Sequence, residues 1–324
     1  MRAVICRELT GVGGLECVTD WPEPQAAAGE VVVDVKAAAL NFPDLLMIQG
    51  LYQERPPLPF VVGTEMAGVV AAVGEGVTQF APGDRVVAAC GRTLAERVAA
   101  KAALVLPAPA KLSFEQASGI CITYFTTMHA LKQRAQLQAG ETLLVLGAAG
   151  GVGTTAVELG KQMGATVIAA ASSDEKLELT RKLGADHTIN YATEDLRERL
   201  KTITGGQGVD VVYDPVGGAL AEPALRSMAW RGRYLVIGFA GGDIPKIPLN
   251  LPLLKGCSIV GVYWGSFAQR ERDVQRQNVA ELWGLFEAGR LSPSVGETHE
   301  LDDFAAAFEA LSSRRAQGKI VLKP

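Results

Sequence analysis

Residues 141–153, ETLLVLGAAGGVG, set a continuous apolar run directly against four glycines in seven positions. An apolar run without polar alternation reads as a strand buried on both faces, which points to a parallel sheet with both faces covered. A chain leaving such a strand must cross over before it pairs in parallel again, so a helix has to follow. The glycines clear side chains from the turn in between. The pattern then repeats. ATVIAAA (165–171) reads as a strand and leads to helical DEKLELTRKLGA (174–185), which Gly184 closes. HTINY (187–191) leads to TEDLRERLKTIT (193–204), ended by Gly205 and Gly206. VDVVYDPVG (209–217), RGRYLVIGF (231–239) and CSIVGVYWG (257–265) read as three more strands. The fold class this predicts is α/β, a doubly wound parallel sheet built of right-handed βαβ units.

The flanks read differently. In the N-terminal third, VVVDVKAAAL (31–40), MAGVVAAVG (66–74) and GDRVVAA (83–89) are strand-like and densely punctuated by Pro and Gly. The style changes near residue 113, where Ser113-x-x-Gln116 fits a capping box. Near the C-terminus the pattern predicts a long amphipathic helix (271–289), a second helix (302–314) and a closing strand, GKIVLKP.

A chain of 324 residues suits two domains. Its net charge of −4 with no basic stripe speaks against a nucleic-acid partner. No apolar run reaches the roughly 18 residues of a membrane span, and the charged N-terminus does not read as a secretory signal. Five scattered cysteines with no CxxC pair read as free thiols in a reducing cytoplasm.

The glycine run sits where a dinucleotide site would. The fingerprint G-x-G-x-x-G reads here Ala148-Ala149-Gly150-Gly151-Val152-Gly153, with Ala148 at the first glycine position. Gly150 lets the backbone approach a pyrophosphate, Gly153 lets helix and strand pack closely, and the helix N-terminus offers unpaired N–H groups. A plain tight turn is the alternative. At the end of the second strand, Ser172, Ser173 and Lys176 suit a 2′-phosphate and so NADPH. Asp174 is the competing sign for NADH, and Ser172-x-x-Glu175 also reads as a capping box.

NFPD (41–44), LPFVVGTEMAGVV (58–70), PGDRV (82–86), LGAAGGVG, INY (189–191), YDPVG (213–217) and QGKIVL (317–322) occur in that order. Together they resemble the zinc-independent, zeta-crystallin-like quinone oxidoreductases of the medium-chain dehydrogenase/reductase superfamily. The resemblance implies a GroES-like, β-rich catalytic domain from residues 1–117 and 266–324, with a Rossmann NADP-binding domain, 118–265, inserted. It implies hydride transfer from NADPH to a small quinone or enone. The zinc enzymes of the superfamily carry Cys and His where this chain has Asn41 and Thr64, so no metal is expected.

The same resemblance names the site. Asn41, Tyr52 and Thr64 are its candidate catalytic residues. Asn41 and Thr127 are expected near the nicotinamide, Tyr191 near the adenosine 2′-phosphate, and Val216 with Phe239, Ala240 and Gly241 along strand ends. Ala149, Gly150, Gly151, Val152 and Gly153 hold the pyrophosphate. Lys319 is expected to reach the cofactor, and Tyr263 or Trp264 to line the pocket. The alternatives are structural: an Asx turn at Asn41, a half-buried aromatic at Tyr52, a hydroxyl bonded to its own helix at Thr127, and edge-strand packing for Tyr263 and Trp264. The strand near 257–264 is expected at a sheet edge that pairs in a homodimer. Two other functions share the scaffold. One is an enoyl- or acryloyl-CoA-type reductase, which needs a basic patch such as Arg55, Arg270, Arg272 and Arg276 would make. The other is an NADPH-binding protein with little turnover.

Overall fold

A computed structural model describes all 324 residues. The chain divides into two compact units, residues 1–122 with 292–324, and residues 123–291.

The first segment is mostly strand: β1 (Ala3–Cys6), β2 (Leu15–Val18), β3 (Glu30–Ala39), β4 (Phe60–Val61), β5 (Glu65–Val73), β6 (Arg85–Ala89), β7 (Arg97–Lys101) and β8 (Val105–Pro107). Two short helices interrupt it, α1 (Phe42–Ile48) and α2 (Phe114–Ser118). Ser113 caps α2 through the predicted box: its Oγ accepts the Gln116 N–H, and Gln116 Oε1 accepts the Ser113 N–H, both at 3.2 Å. Asn41 occupies the N-cap of α1, and its backbone N–H is held by Asp44 Oδ2 at 2.8 Å. This turn and the residues just before β5 carry the chemistry described below.

Helix α3 (Ile120–Met128) carries the chain into the second unit. There β9 (Thr142–Leu146), α4 (Gly151–Gln162), β10 (Thr166–Ala171), α5 (Asp174–Lys182), β11 (His187–Asn190), α6 (Leu196–Ile203) and β12 (Val209–Asp214) alternate as expected. After α7 (Ala221–Arg226) come β13 (Met228–Val236), α8 (Asn250–Lys255), β14 (Ser258–Gly261), α9 (Trp264–Arg270) and α10 (Arg272–Glu287). The six strands run in the order β11-β10-β9-β12-β13-β14, parallel throughout. The order steps outward from β9 in both directions, so the ends of β9 and β12 flank a topological switch point. Leu144, Leu146, Ile168, Ala170 and Val212 fill the core on one face.

The chain returns to the first unit with β15 (Val295–Glu300), α11 (Phe304–Ser312) and β16 (Lys319–Lys323). Strand β16 pairs antiparallel with the end of β3, Val321 opposite Ala39, completing a seven-stranded sheet in the order β15-β16-β3-β5-β6-β8, with β7 also paired to β3. That pairing puts Lys319 beside the α1 cap.

Two boundaries differ from the sequence reading. The strand expected over 257–265 stops at Gly261, and Tyr263 and Trp264 begin α9. The inserted unit runs on to Leu291 rather than 265. Helix α10 belongs to it because Phe286 packs edge-on against Tyr124 at 5.0 Å and the Asn278 and Gln133 amides pair at 2.9 and 3.0 Å.

Candidate active site

The glycine run forms a cradle between β9 and α4. Gly147 takes a left-handed turn (φ 58°), and a Cβ there would lie 2.7 Å from Val216 Cγ2. The first tight-turn position therefore falls on Gly147, one residue before the Ala148 that the fingerprint alignment assigns. At Gly153 a Cβ would stand 2.3 Å from the Gly147 carbonyl oxygen, so this glycine lets α4 lie against the turn. Gly150, the N-cap of α4, is different. A Cβ there would meet nothing closer than that same oxygen at 3.4 Å. No protein atom requires this glycine, so the space in front of it is open to a ligand. The N–H groups of Gly151, Val152 and Gly153 in the first turn of α4 have no intrahelical acceptor and carry the positive end of the helix dipole. A diphosphate fits this cradle by charge and by space. Ala149 is buried beneath it.

The end of β10 gathers the expected polar group. Ser173, rather than Ser172, caps α5, accepting the Lys176 N–H at 3.3 Å. Ser172 stays exposed and its Oγ accepts the Lys176 ammonium at 3.3 Å. Tyr191 is drawn alongside by its N–H on the Ala171 carbonyl at 3.1 Å. Asp174 accepts the Asn190 side-chain amide at 3.0 Å, which engages the carboxylate that competed with the hydroxyls. A cation and an exposed hydroxyl thus stand together at the strand end, the chemistry a phosphate monoester needs.

The turns after β12 and β13 are laced to each other. Asp214 Oδ1 accepts the Val216 and Gly217 N–H groups, both at 2.8 Å. The Ala240 and Gly241 N–H groups donate to the Pro215 and Val216 carbonyls at 3.0 and 2.8 Å. Val216, Phe239, Ala240 and Gly241 are thereby brought together at the C-terminal edge of the sheet. Trp264 donates to Gln275 Oε1 at 3.3 Å and leans on Phe125, while Tyr263 projects from the start of α9 with its side chain exposed.

Thr127, expected near the nicotinamide, is enclosed by its own neighbours. It is 0% exposed, and its hydroxyl is shared with Thr155 Oγ1 at 2.7 Å and the Tyr213 hydroxyl at 2.9 Å. It ties α3 to α4 and β12 and presents nothing to a bound molecule.

In the first unit a polar cluster is buried around the α1 cap. The Lys319 ammonium donates to the Leu40 carbonyl at 2.7 Å, to Asn41 Oδ1 at 2.7 Å and to Glu65 Oε1 at 2.9 Å. Its three protons are thus used inside the unit, which corrects the expectation that it reaches a cofactor. Its stem crosses Gly119, where a Cβ would lie 2.9 Å from Lys319 Cγ. Glu65 also accepts from Asn41 Nδ2 at 2.8 Å and from the Ile122 N–H at 3.0 Å. Asn41 is itself buried, and its amide is committed to Lys319 and Glu65, with a longer 3.4 Å contact to Thr64 Oγ1. It orients Thr64 and is not a free donor. Thr64 is half-buried, so in this cluster it is the side chain open to a ligand, and its hydroxyl donates to Asp44 Oδ2 at 3.2 Å. Asp44 is wholly buried, its Oδ1 has no partner, and burial pushes its pKa up to about 7. Tyr52 is half-buried in the loop between α1 and β4.

A catalytic zinc does not fit this cluster. No three His, Cys, Asp or Glu side chains in the chain are grouped to hold a metal ion. The amide oxygen of Asn41 already receives the Lys319 ammonium, a fixed cation where a metal would need to bind.

From sequence, Asp44 is placed in the NFPD loop beside Asn41 as a cleft residue without a role, and Glu65 and Gly147 are not singled out as site residues. The spacing Asn41-x-x-Asp44 was the available signal for the first, since it is that of a helix cap. Glu65 had none, because its cationic partner is 254 residues away.

The sequence matches the family described as zinc-binding dehydrogenase over residues 151–282. It matches the alcohol dehydrogenase GroES-like domain over residues 27–130. It is 39% identical to quinone oxidoreductase-like protein 2 of Bos taurus over 324 residues, 99% of this chain and 92% of that protein. It is 37% identical to quinone oxidoreductase 1 of Escherichia coli, covering 96% of this chain and 97% of that one. The crystal structure of Escherichia coli quinone oxidoreductase complexed with NADPH superimposes with a TM-score of 0.91 at 32% identity, over 100% of both chains.

Proposed function

The chain belongs to the quinone oxidoreductase family of the medium-chain dehydrogenases and reductases, and from that premise we propose how its residues carry out an NADPH-dependent, zinc-independent reduction of quinones. The observation that carries the reading is the open cradle at Gly150, a glycine that no protein contact explains, at the N-terminus of a helix leaving a parallel strand. Bound NADPH supplies a hydride from its dihydronicotinamide ring. Everything else falls to the protein. The N–H groups of Gly151, Val152 and Gly153 hold the pyrophosphate against the dipole of α4. Ser172, Ser173 and Lys176 take the 2′-phosphate, with Tyr191 beside the adenosine. Val216 and the Phe239–Ala240–Gly241 turn line the nicotinamide end, to which Tyr263 and Trp264 of the same unit are also assigned. In the first unit, Thr64 offers its hydroxyl to the oxygen of the acceptor, Asn41 fixes the orientation of Thr64, and Tyr52 packs against the acceptor ring. A quinone or enone oxygen that gains charge needs only such hydrogen-bond donors.

Two further features support the wider reading. Strand β14 is a sheet edge whose Ser258, Ile259 and Gly261 are exposed, and Trp230, Leu249, Leu253 and Leu254 stand exposed on neighbouring elements. We assign this edge to a homodimer contact. The five cysteines are unpaired, as in a protein of the reducing cytoplasm, and no helix is long and apolar enough to cross a membrane.

The test is steady-state oxidation of NADPH and NADH with EDTA present, using 1,4-benzoquinone, 9,10-phenanthrenequinone, simple enones and crotonyl-CoA as acceptors. NADPH-driven turnover of the quinones is the expected result. Preference for crotonyl-CoA would convert the assignment to an enoyl reductase. Tight NADPH binding with no acceptor turned over would overturn the enzymatic reading.

A further inference from the structure

We propose that Asp44 is the proton reservoir of this reaction, delivering its carboxyl proton through the Thr64 hydroxyl to the oxygen that hydride addition leaves anionic; the proposal rests on the quinone-reductase reading above.

Three observations carry it. The first is the state of the carboxyl group. Asp44 is 0% exposed, its Oδ2 accepts the Asn41 backbone N–H at 2.8 Å, and its Oδ1 is buried with no partner at all. A buried carboxylate oxygen with no donor is costly, whereas the carbonyl oxygen of a neutral acid is cheaper to leave bare. The second is the route. Thr64 is the one side chain hydrogen-bonded to Asp44, and it is half-buried where Asp44 is sealed. Its hydroxyl donates to Asp44 Oδ2 while that oxygen is bare, and once Oδ2 carries a proton the bond reverses, Asp44 donating to Thr64 Oγ and leaving the Thr64 hydrogen free for a ligand. A proton leaving Asp44 for a ligand therefore passes through the threonine Oγ. The third is the contrast with Glu65. That carboxylate accepts from Lys319, Asn41 and the Ile122 N–H, so both of its oxygens are engaged by donors inside the cluster. Two carboxyl groups in one cluster in opposite environments is the pattern that gives them different roles.

The charged groups acting on Asp44 are few. Burial raises its pKa most; the Asn41 N–H, the Thr64 hydroxyl and the Lys319 ammonium on β16 lower it; and Glu65 on β5 raises it, leaving a value of about 7. No other residue of α1 is ionisable. The acid is thus balanced between its two forms at neutral pH, as a proton donor should be.

The step balances. The hydride adds with its electron pair to the conjugated system of the acceptor, at a carbonyl oxygen of a quinone or the β-carbon of an enone, so that negative charge settles on a carbonyl oxygen and the dihydronicotinamide is oxidised. The anionic oxygen forms a bond to the Thr64 proton as the Thr64 O–H bond breaks. Thr64 Oγ takes the Asp44 proton as the Asp44 O–H bond breaks, leaving a hydroquinone or enol and an Asp44 carboxylate. Water restores the Asp44 proton by the same path after product leaves. No electrons reach Asp44 or Thr64.

The test combines pH profiles with infrared titration of the protein free of cofactor. Wild type must first reduce a quinone with NADPH; its failure to do so overturns the functional reading and the relay with it. In wild type, kcat is expected to fall about tenfold per pH unit above about 7, following loss of the acid form. Asp44→Asn keeps an acceptor for the Asn41 N–H and is expected to lose about a hundredfold in kcat near pH 6. Its profile becomes flat from pH 6 to 9, and its NADPH affinity, read by nucleotide fluorescence, is unchanged. Thr64→Val should show the same loss, and Thr64→Ser should restore activity. Independently of turnover, a protonated-carboxyl carbonyl band should titrate with a midpoint near pH 7 in wild type and in Thr64→Val, and be missing from Asp44→Asn. An active wild type whose pH profile survives in Asp44→Asn, a fully active Thr64→Val, or an Asp44 already ionised at pH 6 would each overturn the relay alone.

Discussion

The Lys319–Glu65 ion pair is the residue-scale feature on which the α1 cap depends, and its side chains are 7% and 0% exposed. A buried pair earns little net stability against apolar replacements, yet removing one member strands the other. Lys319→Met is therefore expected to cost about 3–5 kcal/mol, seen as a lower urea midpoint, because Glu65 is left buried without its cationic partner. Lys319→Met with Glu65→Leu should recover part of that loss. A lysine serving only the cofactor would behave oppositely, weakening NADPH binding while leaving the midpoint alone. Asp44 makes a second residue-scale prediction through its pKa of about 7 against an ordinary 3.8. Between those values the folded chain holds a proton that the unfolded chain has released. Stability contributed by this group therefore falls as pH rises, by at most about 1.4 kcal/mol per pH unit, and levels above about pH 7. Asp44→Asn lacks this slope. Its stability relative to wild type should rise by about 3–4 kcal/mol from pH 4 to pH 8, measured by urea unfolding at both.

At the scale of elements, the β9–α4 turn separates glycines the fold needs from a glycine only a ligand needs. Gly153→Ala places a methyl 2.3 Å from a backbone oxygen that cannot swing aside, so it should destabilise by at least about 1–3 kcal/mol. Gly150→Ala meets nothing closer than 3.4 Å, so its cost is limited to a poorer N-cap for α4, about 1 kcal/mol or less. Its NADPH affinity should nonetheless drop tenfold or more, because the methyl occupies the approach of the pyrophosphate. Calorimetry and a fluorescence titration on the two variants separate the cases, and equal NADPH affinity for Gly150→Ala would remove the cradle as the cofactor site. The sequence carried this turn well because its causes are local: an apolar run, a few glycines and a helix start within thirteen residues. The same locality made the alternation from β9 to β13 readable. It failed where partners are distant. Lys319 looked like a cofactor contact because nothing near QGKIVL announces Glu65, and Thr127 looked available because the Tyr213 hydroxyl that occupies it lies 86 residues on. It also failed at CSIVGVYWG, where β-favouring aromatics extend a strand pattern past Gly261 although Tyr263 already starts a helix. Tertiary packing overrides propensity there.

At the scale of the whole molecule, the outstanding feature is an unfinished sheet. Strand β14 ends the six-stranded order with nothing paired to its outer side. An edge meant for solvent usually carries lysine, proline or a bulge. Here the strand is Ser-Ile-Val-Gly, and beside it Leu249, Leu253 and Trp230 are 80%, 77% and 74% exposed. Each such side chain gains about 1.5–3 kcal/mol when buried, so a few of them can offset the entropy cost of association. A second copy related by a two-fold axis meets the same requirement on both sides, since the contact is self-complementary. The protein is therefore expected to sediment as a dimer at micromolar concentration. Leu253→Glu combined with Ile259→Lys should give a monomer that still binds NADPH, because neither residue belongs to the cradle or to the β10 end. Wild type sedimenting as a monomer would return the edge to solvent. A double variant that stays dimeric would move the contact to another face.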